Sequence, residues 1–277
     1  MDNNWIIDNL NYAFTLWNGK LTEMWSLLTQ SPQAFKGGTI WRTIQTVNGA
    51  MQGIGYGLLV LFLAIGIFRS GVGFRDFRRP EYVLRHFLYF VMAKLAVTYG
   101  IDLMMDIFAV CAGIISAAGS VGGIEGAAVT LPGEIATTIE GVGFLASIPL
   151  WLVTLLGCLL ITVLAFLMIL TVYARFFKLY LYAALSPVAL ASFAGEGTSQ
   201  MGRAFLKSYV GVCLEGAVIV LACIVYSAFA SSGATALGGG SAVTQVWSYL
   251  GEVIFNMLVL VGLVKGADRV VREMFGM

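Results

Sequence analysis

The sequence predicts an all-α, polytopic integral membrane protein with about five transmembrane helices, a re-entrant or broken helix, and an external amphipathic N-terminal helix. Three observations carry that expectation. Hydrophobic residues make up 59% of the 277-residue chain and charged residues only 11%, a composition outside the range of soluble domains. Charge-free runs stand at 43–68, 107–124, 141–174, 179–195, 216–251 and 253–264, and several could supply the roughly 20 apolar residues that a span needs. Lysine and arginine collect in a few short segments, the pattern that sets orientation across a bilayer.

Residues 1–40 form an external N-terminal segment in this reading, and 41–277 the transmembrane helical domain. The segment is not a signal peptide, because it lacks a basic first region and carries Asp2 and Asp8 before any apolar run. Ile7, Leu10, Phe14, Trp17, Leu21, Met24 and Leu28 alternate spacings of three and four, which places one apolar stripe along a helix. Such a helix lies on the outer leaflet or packs against its copies or an extracellular partner. Lys20 is the one basic residue along it, so attraction to anionic lipid explains it poorly.

The first span, Thr43 to Phe68, ends against Arg69, Arg75, Arg78, Arg79 and Arg85. A second runs from His86 to about Ser116 and carries Lys94, Asp102 and Asp106. A third fills most of Phe144 to Ala174, with Pro149 near its first turn, where a missing N–H costs little. Leu179 to Gly195 is marginal for a span and is interrupted by Ser186 and Pro187, so a re-entrant or broken helix is expected there. Two more spans follow, from Lys207 to about Ser231 with Glu215 embedded, and from about Val246 to Val264.

Twelve of the 16 basic residues fall on one side if the 179–195 segment returns to the side it left. The opposite loops, 119–143 and 232–245, contain no lysine or arginine, and the first holds Glu125, Glu134 and Glu140. The positive-inside rule then puts the N-terminus outside and the C-terminus in the cytoplasm of a cell-membrane protein.

Two constellations stand out within the spans. Gly49, Gly53 and Gly57 repeat every four residues, with Gln45, Asn48 and Gln52 beside them. Small residues let helix backbones approach closely, and unpaired amides avoid lipid, so this is a helix-packing or oligomer face, or the lining of a wet passage. Lys94, Asp102, Asp106 and Glu215 form an intramembrane charge cluster, and charge at such depth is either paired or functional. Lys94 and Glu215 each lie roughly 12–14 Å from the cytoplasmic boundary at about 1.5 Å per residue. A Lys94–Glu215 ion pair is therefore expected.

The formal net charge of +1 offers no basic excess for nucleic acid, so contact with DNA would have to come from placement. Cys111, Cys158, Cys213 and Cys223 sit in apolar stretches without C-x-x-C spacing, and His86 is the single histidine. They read as core or lipid-facing thiols, with no metal site. No catalytic motif is present and no cofactor is expected. The glycine-rich stretches Gly119 to Gly126 and Gly238 to Gly240 read as flexible linkers.

An ordered pattern carries a family resemblance. It comprises the amphipathic N-terminus, the glycine-rich first span, the basic loop FRSGVGFRDFRRPEYVLR, an acidic external loop, and RFFKLYLYAALSPVALASFAGEGTSQMGRAFLKSYVGVCLE. In the last stretch an apolar run reaches Pro187, with Phe193 and small polar residues after it. This arrangement resembles the TrbL-type polytopic subunits of conjugative and type IV secretion systems, especially those of integrative elements in Gram-positive bacteria. The resemblance implies a homo-oligomer, with five-fold symmetry suggested, embedded in membrane lipid. It also implies work with other secretion-system subunits and ATPases, helping to translocate a DNA–protein substrate or to assemble a surface fibre. The rival reading is a small-solute or ion transporter using Lys94, Asp102, Asp106 and Glu215. Transporters commonly carry matched broken helices in two halves, and only one such segment is visible here.

Overall fold

The computed structural model describes residues 4–69, 80–121, 127–195, 197–231 and 241–277. Among them are eight α-helices and no strand: α1 (Asn4–Thr29), α2 (Thr39–Arg69), α3 (Pro80–Thr98), α4 (Gly100–Val121), α5 (Gly133–Glu140), α6 (Phe144–Leu190), α7 (Ser199–Ser231) and α8 (Ala242–Phe275). Helices α2, α4, α6, α7 and α8 are long and apolar enough to cross a membrane. The protein is thus an all-α polytopic membrane protein. Arg75, Arg78, Arg79 and the glycines at 122–126 and 238–240 lie outside the described residues.

The chain divides into two compact units. Unit 1 comprises 1–29, 115–174 and 216–267, and unit 2 comprises 30–114, 175–215 and 268–277. This division does not coincide with the boundary expected at residue 40. In unit 1 the reason is the α1 stripe. Leu10, Phe14, Trp17, Leu21, Met24 and Leu28 are each no more than 2% exposed, and Ile6, not Ile7, extends the buried face. The chain itself covers that stripe, so neither the leaflet nor the oligomer reading applies to it. Polar contacts fix the helix further. Trp17 donates Nε1–H to the Ala127 carbonyl at 3.2 Å, and Asn18 exchanges two hydrogen bonds with the Val129 backbone, at 2.8 and 3.0 Å. Tyr173 donates to Glu23 at 2.8 Å.

The expected second span is two helices meeting at Tyr99. Backbone bonds from Tyr99 N–H to Leu95 and from Leu103 N–H to Tyr99, at 2.9 and 3.0 Å, carry the ladder through the bend.

The largest correction concerns Ser186 and Pro187. The helix does not break there, because α6 runs through both residues to Leu190 and then tightens into a 3₁₀ turn at Ala191–Ala194. At about 1.5 Å per residue its 47 residues reach roughly 70 Å. An interior proline removes one i→i−4 bond, leaving the Ala183 carbonyl without its helical donor. Asn48 of α2 supplies the replacement, donating Nδ2–H to that carbonyl at 2.7 Å and to Ser186 Oγ at 3.1 Å. The Ser186 hydroxyl donates to the same carbonyl at 2.9 Å. Two lone pairs accept two donors, and the backbone is satisfied where no water reaches it. All of this is buried, Asn48 being 3% and Ser186 0% exposed.

Close approach makes that cap possible. A Cβ on Gly55 of α2 would stand 2.9 Å from the Pro187 carbonyl oxygen, and one on Gly100 would stand 2.9 Å from Leu190 Cδ1. Below these contacts Leu59, Ala93, Val97, Leu190, Ala191 and Ala194 form one apolar core. Met104, Phe108, Cys111, Leu179, Tyr209, Val212 and Cys213 form a second within the same unit.

The cap yields a double-mutant test. Asn48→Ala should destabilise the protein by about 1–3 kcal/mol, the cost of an unsatisfied buried polar group. Pro187→Ala restores an N–H to the helix, so Asn48→Ala should cost clearly less in that background. Thermal melting of detergent-purified protein reads both, and equal costs in the two backgrounds would contradict the cap. Gly55→Leu should lose folded protein, whereas Gly53→Leu should not.

Candidate functional site: a polar seam and a buried charge network

In unit 2, α2 and α3 are joined by side chains the sequence marks as polar. Gln52 donates Nε2–H to the Thr98 carbonyl at 3.1 Å. The Thr98 hydroxyl proton goes to the Lys94 carbonyl at 2.8 Å, so Tyr56 is the donor in its 3.0 Å bond to Thr98 Oγ1. Asn48 and Gln52 therefore face neighbouring helices, while Gln45 is exposed.

The glycines divide differently from the expectation. Cβ atoms built on Gly49, Gly53 and Gly57 meet nothing within 4 Å, and the close-packing glycine of α2 is Gly55. The repeating stripe is an open strip on the helix surface. Lys94, Asp102 and Asp106 are exposed as well. Asp102 and Asp106 lie four residues apart on α4, on neighbouring positions of one flank of that helix. Unit 2 thus carries an outward seam of small and charged groups on helices otherwise faced with Val60, Leu61, Leu95 and Val110.

Glu215 belongs elsewhere, and the expected Lys94–Glu215 pair is replaced. Glu215 is 2% exposed and binds Lys178 of α6, Oε2 to Nζ, at 3.3 Å. Lys178 also binds Asp268 at 3.1 Å, and Arg272 binds the other oxygen of Asp268 at 3.1 Å. Glu215 therefore stands in a chain of alternating charge drawn from α6, α7 and α8. Among the described residues no ion pair links Lys94, Asp102 and Asp106 to one another or to Glu215, so the four do not form one cluster. With a break expected between Leu179 and Gly195, nothing in the sequence sets Lys178 on the same helical flank as Glu215's other neighbours. Once α6 is continuous, Arg175, Lys178 and Tyr182 share one helical flank.

Arg175 is the residue the sequence reading missed most completely. It is fully buried, with Nε and Nη2 donating to the Val212 and Cys213 carbonyls at 3.2 and 3.0 Å, and it stands 5.9 Å from the centroid of the Phe108 ring. Nη1 has no hydrogen-bond partner among the described residues. Tyr209, also buried, donates to the Met104 carbonyl at 2.8 Å. These bonds lock α4, α6 and α7 together around a cation. No group of three or more His, Cys, Asp or Glu able to hold a metal occurs among the described residues.

Compared with protein families, the chain matches the model described as TrbL/VirB6 plasmid conjugal transfer like protein over residues 17–187, more than half of its length. The chain belongs to this family. It is accordingly a subunit related to conjugal transfer and type IV secretion. No curated protein and no solved structure matches it. The seam and the Asn48–Pro187 cap fall inside the stretch that matches the TrbL/VirB6 model, whereas Glu215, Asp268 and Arg272 lie beyond it.

The network separates two pairings experimentally. Lys178→Met should lower folded yield and melting temperature, since it leaves the buried Glu215 carboxylate unpaired, which typically costs about 3–5 kcal/mol. Lys94→Met should leave both unchanged. Equal losses in the two variants, measured by fluorescence-detected gel filtration after heating, would restore the Lys94 pairing.

Proposed function

We propose that this TrbL/VirB6-family protein is a non-enzymatic channel or scaffold subunit of a conjugative type IV secretion machine, working as a ring of copies in the cytoplasmic membrane. The observation that carries this reading is the seam. Charged side chains in membrane helices are rare except where they face protein or water, and Asp102 and Asp106 stand in the first two turns of the crossing helix α4, with Lys94 on α3 just before it. Lys94, Asp102 and Asp106 are exposed on α3 and α4, and Gly49, Gly53, Gly57 and Gln45 are exposed on α2 of the same unit. A closed ring gives this surface an occupant. Neighbouring copies or a hydrated passage cover the seam, and in unit 1 the exposed Leu152, Leu156, Leu159 and Phe166 of α6 are left to lipid. The passage would serve a DNA–protein substrate delivered by the other secretion subunits and their ATPases.

The orientation follows from charge. With five candidate spans the termini lie on opposite sides, and by the positive-inside rule the basic clusters at 69–85, 175–178, 203–207 and 265–272 favour a cytoplasmic C-terminus.

Donor cells carrying Asp102→Asn with Asp106→Asn, or Lys94→Met, should accumulate normal amounts of the protein and transfer DNA at reduced frequency. Normal transfer by both variants would remove the seam from the export path. Gly53→Leu should keep the subunit folded and shift it from the oligomer to the monomer on native mass spectrometry. Cysteines introduced at Thr137 and Thr198 should react with an impermeant maleimide from the outside only at Thr137, and reaction at both would overturn the orientation.

A further inference from the structure

One side of α3 serves neither the seam nor the Glu215 network. Ala93 and Val97 turn inward to the apolar core of unit 2, and away from them Leu84, Leu88, Met92 and Leu95 stand exposed along a single stripe. Arg85 and Tyr89 border that stripe one turn apart, with the guanidinium carbon 5.9 Å from the centroid of the Tyr89 ring. Together Glu81, Leu84, Arg85, Leu88, Tyr89 and Met92 line an open groove of about 450 Å³. Its two ends differ in chemistry, since Glu81 and Arg85 are charged and Leu88 and Met92 are apolar. Lys94 follows Arg85 by nine residues, which at about 100° each turns it to the other side of the helix. The groove and the seam are therefore different flanks of α3.

We propose that this groove binds one anionic phospholipid, with the headgroup phosphate on Arg85 and an acyl chain along Leu88, Met92 and Leu95. Length, continuity and charge each favour that occupant. Ten residues separate Arg85 from Leu95, about 15 Å at 1.5 Å per residue, which is half of a hydrocarbon core roughly 30 Å thick and so the depth of one leaflet. Backbone hydrogen bonds run from α3 through Tyr99 into α4, a helix apolar enough to cross a membrane, so the groove opens onto the bilayer that α4 enters. The sequence from Arg69 to Arg85 holds five arginines against Asp76 and Glu81, and a basic run beside a membrane helix draws anionic lipid to it. Arg85 supplies the local recognition. Its planar fork of donors matches a phosphate through the edge of the guanidinium, while the Tyr89 ring meets its face. Glu81, one turn earlier, accepts a hydrogen bond from a headgroup hydroxyl and repels a second negative charge. A headgroup with one net charge and free hydroxyls, such as phosphatidylglycerol, fits both residues.

The inference needs only the membrane setting of α3 and α4, and its test reads no transfer activity. The full chain in mild detergent is titrated with phosphatidylglycerol, with phosphatidylcholine and with inorganic phosphate, and native mass spectrometry counts bound lipids and copies together. Phosphatidylglycerol should be retained at concentrations where phosphatidylcholine is lost, and inorganic phosphate should not compete with it. A phosphatidylglycerol carrying a diazirine on its acyl chain should crosslink to the peptide holding Leu88 and Met92. Arg85→Gln should weaken retention about five-fold, the weight of one cation at a membrane surface. Arg269→Gln, which removes an exposed cation of α8, should leave it unchanged. Equal retention of the two lipids by the wild-type chain, or crosslinks only elsewhere, would overturn the proposal whatever the variants do. Displacement by inorganic phosphate would make the groove a free-anion site instead. Loss of copies in Arg85→Gln with lipid retention intact would assign it to a neighbouring chain, and either result refutes the lipid.

Discussion

In a hydrocarbon environment every backbone carbonyl must find a donor inside the protein, and Pro187 deprives Ala183 of its own. The remedy, an amide from Asn48 and a hydroxyl from Ser186, sets the rest of unit 2. For Asn48 to reach, α2 must lie against α6 with only a hydrogen on Gly55 facing the Pro187 carbonyl. That contact fixes the rotation of α2 about its axis. Gln52 and Tyr56 then fall toward Thr98, and Gly49, Gly53 and Gly57 fall outward. One missing N–H thereby determines which face of α2 is free and which meets Thr98 of α3.

Charge in this protein is sorted by the same packing. In unit 2 the buried Glu215 meets Lys178, which reaches from there to Asp268 and, through it, to Arg272 at the surface. Arg175 is held by carbonyls and an aromatic face, at a depth where a guanidinium without hydrogen bonds would be costly. Lys94, Asp102 and Asp106 have no such interior partners and point away from the core. The division between a neutralised interior and a charged outer flank is what separates structural ions from those available to a substrate or a neighbouring copy.

The fold class was legible because composition and charge spacing act over whole helices. Local pattern was legible too, since the apolar stripe of Leu10 to Leu28 is the buried face of α1. What covers a stripe is not encoded in its period, so the same pattern suited leaflet, copy or own chain equally well. Pro187 misled for a related reason. A proline's local effect is to break a helix, and the compensating Asn48 lies in another helix far earlier in the sequence. Gly49, Gly53 and Gly57 advertised close packing by repetition, while Gly55, which has no repeat, performs it. Glu215 was rightly singled out as a buried ion, but its partner Lys178 was hidden by the break assumed in α6. Family membership settles the kind of machine without revealing any of these contacts.

The cap also has a consequence for how the protein is made. Asn48 and Ala183 are 135 residues apart, and chains emerge at about 5–20 residues per second, so roughly 7–27 s separate the synthesis of donor and acceptor. During that interval α2 must wait in the membrane with an unsatisfied amide on one face and a glycine notch at Gly55 that nothing fills. The first half of the chain is therefore not a self-sufficient folding intermediate.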